Sequence, residues 1–284
     1  SLDPCSPPDL RHLRRLTDSF GVFQHTDRDG APLTEYGYAI DDVARALIVV
    51  LETMRIFSSR EHYGSGAASD GRTLDALAEL YLRFLEHCQL PDGRVHNFVA
   101  VDQAFQDDVG SPDAHGRTVW ALGVTWARVP RQALRERAAG MLGKILPHAA
   151  GLAPLRSRAF ALLGLLLLLS DDDPFGVRDA AVRLAESLVQ DFRASATDDW
   201  PWFEDTLRYS NGLLPYALLA ASTNARLFRE SSLGSDAREV GVRSLEFLLR
   251  VLPVSGVPAP AGNRGWYPRG EPRALYDQQP VDAA

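Results

Sequence analysis

Five segments of the chain concentrate residue types that could do chemistry. The first, Tyr36-Gly37-Tyr38-Ala39-Ile40-Asp41-Asp42-Val43-Ala44-Arg45, sets two adjacent acids and an arginine at the start of an apolar run. Acids in that position serve as caps and as partners of the positive end of a helix dipole. Neighbouring residues point to different sides of a helix, so at most one of the two faces a central cavity. The second, Asp107-Asp108-Val109-Gly110-Ser111-Pro112-Asp113-Ala114-His115-Gly116-Arg117, leads into Val119-Trp120-Ala121-Leu122-Gly123. Asp113 could cap that helix, yet an acid, a histidine and a cation at i, i+2 and i+4 exceed what capping requires. For His115 the choice stays open between a satisfied structural histidine and a site residue.

The third segment is Arg156 and Arg158, opening the most apolar run of the chain. Cations there oppose the helix dipole, so they serve something else, such as pairing with the acids above. The fourth runs Asp198-Asp199-Trp200-Pro201-Trp202-Phe203-Glu204-Asp205 and on through Leu207-Arg208-Tyr209-Ser210-Asn211. Aromatic faces beside carboxylates suit a sugar-binding wall, in which rings stack on pyranose C–H surfaces and acids take the hydroxyls. The alternative is an aromatic plug over one end of the fold. The fifth is Gly262-Asn263-Arg264-Gly265-Trp266-Tyr267-Pro268-Arg269-Gly270, followed by Asp277-Gln278-Gln279-Pro280. Its glycines allow close backbone approach, but they follow no strand, so a dinucleotide reading is poor. The sequence holds no H-x-x-x-H on a helix, no cysteine cluster and no G-x-S-x-G, which argues against metal-dependent and serine-hydrolase chemistry. No metal and no cofactor are expected.

Two kinds of helix, alternating along the chain, must position these segments. Ile40 to Phe57, Thr118 to Ala127, Phe160 to Leu169 and Leu213 to Ala221 are apolar nearly all round and must be covered on every side. Between them run amphipathic stretches around Leu74 to Cys88, Leu134 to Ile145, Val177 to Phe192 and Ser235 to Val251. A buried helix followed by a half-exposed one, four times over, is what an inner ring wrapped by an outer ring writes into a sequence. The expected fold is all-α, an (α/α)6-type toroid. An open solenoid competes, but the spacing is irregular and no consensus repeats. Loops leading into the apolar helices are long: Gly21 to Ala39, Gln89 to Asp113, Arg193 to Tyr209 and Pro253 to Ala274. Alternating helix direction would crowd them onto one end, the candidate functional face. With a helix over Asp9 to Phe20 and another starting near Asp277, ten helices result, so the toroid is expected to be incomplete at its C-terminus. Residues 1–284 read as one domain, with 1–35 an N-terminal helix and lead-in loop. The chain starts at Ser1, without a Met, as a trimmed piece would.

Of 284 residues, 45% are hydrophobic and 24% charged, an ordinary globular balance. The net charge of −7, from 30 Lys+Arg against 37 Asp+Glu, argues against nucleic acid and anionic membrane as partners. Lys144 is the only lysine, which looks like genome composition. Ala159 to Leu169 is too short to span a bilayer, which takes roughly 20 residues. No signal-peptide pattern opens the chain. Cys5 and Cys88 make no disulfide framework and read as reduced thiols, so a cytoplasmic location is expected.

The segments Ile40-Asp41-Asp42-Val43-Ala44-Arg45-Ala46-Leu47, Asp113-Ala114-His115-Gly116-Arg117, Trp202-Phe203-Glu204-Asp205, Gly262-Asn263-Arg264-Gly265-Trp266-Tyr267 and Asp277-Gln278-Gln279-Pro280 resemble a bacterial family labelled glycosyltransferase or glycosidase-like and similar to the six-hairpin (α/α)6 glycosidases. The chain departs from its pattern at Val43, Ala114 and Ser210, where Asn, Ser and Asp are expected. The resemblance spans residues 36–284 and implies a glycoside hydrolase-like activity on a polar oligosaccharide. One protonated acid would assist the leaving oxygen and one carboxylate would activate water or attack. Asp113 with Glu204 or Asp205 is the expected pair, with Asp42 third. Inversion is the expected course, with the carboxyl groups roughly 6.5–9.5 Å apart. Candidate sugar-binding residues are Arg45, His115 and Arg117; Arg158, Trp202 and Asn211; and Asn263, Arg264, Trp266, Tyr267, Asp277 and Gln278. The partners expected are a sugar ligand and, through the open side of an incomplete ring, a second copy of the chain. Two rival readings are a non-catalytic carbohydrate-binding domain and a sugar epimerase, in which His115 and His96 would be acid and base. A nucleotide-sugar transferase lacks its phosphate cradle.

Overall fold

A computed structural model describes residues 8–57, 73–224, 226–227, 232–254 and 257–278. Cys5 and the Gln279-Pro280 part of the last motif lie outside the described residues. The chain divides into two compact units, Ser1–Leu152 and Ala153–Ala284.

The first unit carries α1 (Arg11–Arg15), α2 (Ile40–Phe57), α3 (Leu74–Cys88), α4 (Pro112–Arg128) and α5 (Gln132–Ala149). The apolar α2 and α4 pack on each other, α3 covers α2, α5 covers α4, and α3 touches α5. Two buried helices therefore lie under two amphipathic ones. Leu47, Val50 and Leu51 of α2 and Val119, Leu122 and Val124 of α4 are buried in this unit. Local chemistry sets the boundaries. Thr73 caps α3 by accepting from the Ala76 N–H at 3.2 Å. Ser111 caps α4 by accepting from Ala114 N–H, also at 3.2 Å, and Pro112 follows in the first turn, where a missing N–H costs nothing.

The second unit repeats the layering with α6 (Leu155–Leu168), α7 (Arg178–Ser195), α8 (Leu213–Ser222) and α9 (Leu233–Val251). The apolar α6 and α8 pack together, α7 lies on α6, α9 on α8, and α7 and α9 meet. Ala159, Phe160, Leu162 and Leu165 of α6 are fully buried on several sides of one helix, as its sequence requires.

Strand content is confined to two-residue ladders that tie loops together. In the first unit β1 (Tyr38–Ala39) pairs antiparallel with β2 (Phe98–Val99), Tyr38 opposite Val99. In the second, β3 (Thr206–Leu207) pairs with β6 (Tyr267–Pro268), Leu207 opposite Tyr267, and β4 (Pro253–Val254) pairs with β5 (Val257–Pro258).

Three expectations are corrected. The N-terminal helix is five residues long, because the Asp18 carboxylate accepts from Phe20 N–H at 2.7 Å and Gly21 N–H at 2.9 Å and closes a turn where the helix would have continued. Asp277, with φ +62°, and Gln278, which bridges back to Gly262, are not helical, and the rest of the helix expected near Asp277 lies outside the described residues. The apolar helices are not covered on every side: Val49 and Ile56 of α2 and Tyr216 of α8 stay exposed. No described helix is long and apolar enough to cross a membrane.

This layering fixes the energetic weight of each apolar position. Leu47→Ala, at a site with no exposure, should cost about 2–5 kcal/mol. Leu249→Ala on α9, where the side chain is 65% exposed, should change stability by no more than about 0.5 kcal/mol. Urea unfolding of the two variants beside the parent protein checks both.

Candidate functional site

Each unit brings the mouths of its two buried helices together. In the first, the Ile40 N–H donates to the Asn97 carbonyl at 2.9 Å, so the lead-in of α2 is tied to the loop ahead of α4. The Asp107 carboxylate holds that loop by accepting from Asn97 N–H at 2.8 Å and Phe98 N–H at 3.0 Å. Arg117, one turn and a half into α4 and 5% exposed, reaches back to Asp41, with Nε 3.8 Å from Oδ2. Asp42 pairs with Arg45, one turn further along α2. Burial pushes the Asp42 carboxyl above the usual carboxylate range. The neighbouring negative charge of Asp41 adds to the rise, while Arg45 and Arg117 oppose it.

Asp113 sits half-buried in the first turn of α4. Ser111, and not Asp113, supplies the side-chain cap of α4. Asn97, which no pattern in the sequence marked, ends with its side-chain oxygen buried and without a hydrogen-bond partner at the same mouth.

His115 is corrected to a structural role. Nε2 accepts from the Val95 N–H at 3.3 Å and Nδ1 lies 3.2 Å from the Ser111 carbonyl. Serving both requires the neutral imidazole with its proton on Nδ1. Burial accordingly drives its pKa down. His96 is held in the same way, with Nδ1 2.7 Å from the Asp107 carbonyl and its ring stacked on Phe105.

In the second unit the hub is Arg156, 4% exposed in the first turn of α6. Nε donates to the Tyr209 carbonyl, Nη2 donates to Asn211 Oδ1 at 3.1 Å, and Nη2 lies 2.6 Å from Glu204 Oε1. Its guanidinium also sits over the Tyr209 ring, 4.7 Å from the centroid. Glu204 is 19% exposed and has Arg208 Nε 3.9 Å from its other oxygen. The acids that meet these two cations are not those of the first two segments: Arg156 pairs with Glu204, and Arg158 pairs with Asp191 and so ties α6 to α7.

Trp202 is also corrected. It is fully buried, packed against Phe203 at 5.2 Å and Phe247 at 6.1 Å between ring centroids, so neither of its faces can receive a sugar. Trp200 closes over Phe247 too and donates its indole N–H to the Glu204 carbonyl at 2.9 Å. These rings are interior packing and not a wall. Asn211 is buried as well, and its amide is spent on the backbone of Arg208 and on Arg156. Asp205 lies at the surface, 83% exposed and 3.7 Å from Arg269.

The β3–β6 ladder joins the fourth segment to the fifth and brings the half-buried rings of Tyr209 and Trp266 to 6.2 Å between centroids, inclined at 47°. Tyr209 was missed in the sequence because nothing in its own segment shows that a cation fifty residues earlier lies under its ring. The glycine-rich loop closes on residues 274–278. Asn263 N–H donates to the Asp277 carbonyl at 3.1 Å, and Arg264 Nε lies 3.9 Å from Asp277 Oδ2 at the surface. A Cβ on Gly262 would lie 2.0 Å from the Tyr276 carbonyl oxygen, so that position admits only glycine. Trp266 has φ +58°, a conformation costing a side-chain-bearing residue about 1–3 kcal/mol. Tyr267 rests edge-on against Trp200.

Asp113 and Asp42 thus belong to one unit, Glu204 and Asp205 to the other. Among the described residues no group of three or more His, Cys, Asp or Glu gathers to hold a metal ion. Cys88 is buried, and burial pushes its thiol pKa up. No protein-family model matches the chain, and no curated protein matches it.

The Asp42 carboxyl gives a pH-dependent signature. Between the ordinary carboxylate pKa, about 3.9, and its raised native value, the folded state binds more protons than the unfolded one. Stability therefore falls as pH rises through that window. Asp42→Asn removes the ionisation and should be more stable than the parent at pH 7, with the difference shrinking toward pH 3. Thermal unfolding at the two pH values reads it, and a variant less stable at pH 7 would show that the Arg45 pair outweighs burial.

Proposed function

We propose that this chain is a carbohydrate-active protein, glycoside hydrolase-like, that acts on a polar oligosaccharide by carboxylate acid/base chemistry. The observation that carries the reading is Asp42, a carboxyl pushed upward by burial beside a second carboxylate at the mouth of two buried helices. A group that gives a proton to a leaving oxygen needs a pKa above the ordinary carboxylate range, and burial with a like charge alongside shifts a carboxyl in that direction. Within the same unit Asp113, in the first turn of α4, is the other carboxylate of the proposal, and in the second unit Glu204, held beside two arginines, is a separate candidate. The layering of two buried under two amphipathic helices within each unit supports assigning the helices to an (α/α)6-type toroid. The motif resemblance points the same way.

A second reading is favoured by the Arg156 network. A carboxylate fixed by a buried guanidinium can take sugar hydroxyls without transferring a proton, as a non-catalytic binding domain would require. The epimerase reading loses support because both ring nitrogens of His115 are engaged by backbone groups.

Screening the purified protein against a panel of oligosaccharides with product analysis tests the proposal. Asp42→Asn, Asp113→Asn and Glu204→Gln remove a proton-transfer group with little change of shape, so turnover should fall roughly 10²- to 10⁴-fold in the variant that loses the acid or the base. Affinity should change far less. Full activity in all three amide variants, or a wild type that binds sugar and never yields product, would transfer the assignment to the binding domain.

A further inference from the structure

We propose that Tyr209 and Trp266 form a pyranose-stacking subsite in the second unit, in the role expected of Trp202 from its sequence context. The inference rests on the carbohydrate reading above and deepens it. The two rings are half-buried and meet at 6.2 Å with a 47° inclination, which makes an angled apolar ledge of the kind that a sugar's C–H face fits. Polar groups stand beside it: Glu204 lies between Arg156 and Arg208, so charge-paired donors and acceptors for hydroxyls border the rings.

The ledge is built from below. Arg156 donates to the Tyr209 carbonyl and lies over the Tyr209 ring, so both the backbone and the plane of that ring are fixed by a buried cation. Trp266 is fixed from the other direction. Its N–H donates to the Gly262 carbonyl at 2.9 Å and its carbonyl accepts from Ala274 N–H at 2.8 Å. The antiparallel register of Leu207 opposite Tyr267 joins the two segments, and the two rings lie beside each other, tilted.

The conformation of Trp266 is the informative observation. A left-handed φ of +58° is one that glycine adopts freely and tryptophan adopts at a cost, in a loop that already uses glycine at 262, 265 and 270. The chain therefore keeps a large ring where the backbone asks for glycine, and the strain lies next to charged groups in a loop. Strain retained in that setting supports a functional role for the side chain.

Trp266→Gly separates function from packing. The variant should unfold at the same temperature as the parent or higher, because the backbone strain is relieved. Its affinity for whichever of cellohexaose, xylohexaose, maltohexaose or chitohexaose binds the parent, measured by titration calorimetry, should fall roughly tenfold or more. Tyr209→Ala should weaken the same binding. A Trp266→Gly protein that unfolds several degrees lower assigns the ring to packing and overturns the subsite. Sugar affinity retained in both variants overturns the subsite while leaving the carbohydrate reading to other residues. A parent protein that binds none of the four sugars overturns both.

Discussion

A helix covered on most of its circumference has no place for a charge except at its ends. That constraint organises this protein. Along α6 the middle turns carry Phe, Ala, Leu and Gly with almost no exposure, and the charged residues crowd into the first turn as Arg156 and Arg158. In α2 and α4 the same exclusion drives Asp41, Asp42, Arg45, Asp113 and Arg117 to the N-terminal turns. Because α2 packs on α4 and α6 on α8 with polar ends that meet, confinement within single helices becomes concentration in space. Charges brought so close in a poorly solvated setting must pair or shift their protonation, and both responses occur: Arg156 pairs, Asp42 shifts.

The two mouths resolve their charge differently. The first leaves a carboxyl toward its protonated form, with two acids and two arginines spread along neighbouring helices. The second gathers a carboxylate, a backbone carbonyl, an amide oxygen and a ring around one guanidinium. Such a cluster is expensive to disrupt, since removing the cation would leave several acceptors buried without a donor. The rigidity it gives extends to Tyr209 and, through the β3–β6 ladder, to the glycine-rich loop.

Periodicity made the helices legible. Eight of them follow directly from runs that are apolar all round or on one stripe, because a pattern repeating every 3.6 residues has few other solutions in an aqueous protein. Ends set by side-chain turns were harder to see: the Asp18 turn that stops α1 competes locally with helix and wins by two short hydrogen bonds. Helical spacing set Asp41 and Asp42 apart, toward Arg117 and Arg45. Which side chains end up interior was harder to see. Trp202 and Trp266 look alike in sequence, each an aromatic beside charged residues, and only the position of Phe247 on a distant helix decides that one is interior. His115 likewise gives no local sign that the Val95 N–H will reach its ring.

The near-absence of lysine has a consequence at these helix mouths. An ammonium buried to the extent of Arg156 or Arg117 would tend to shed its proton, and the mouth would lose its positive charge as pH rose. A guanidinium does not deprotonate in that range, so the cationic side of each mouth is constant from acid to alkaline solution. Any titration that alters the field there has to come from the acids and the imidazoles. The protein has, in effect, fixed one plate of the capacitor and left only the other free to charge.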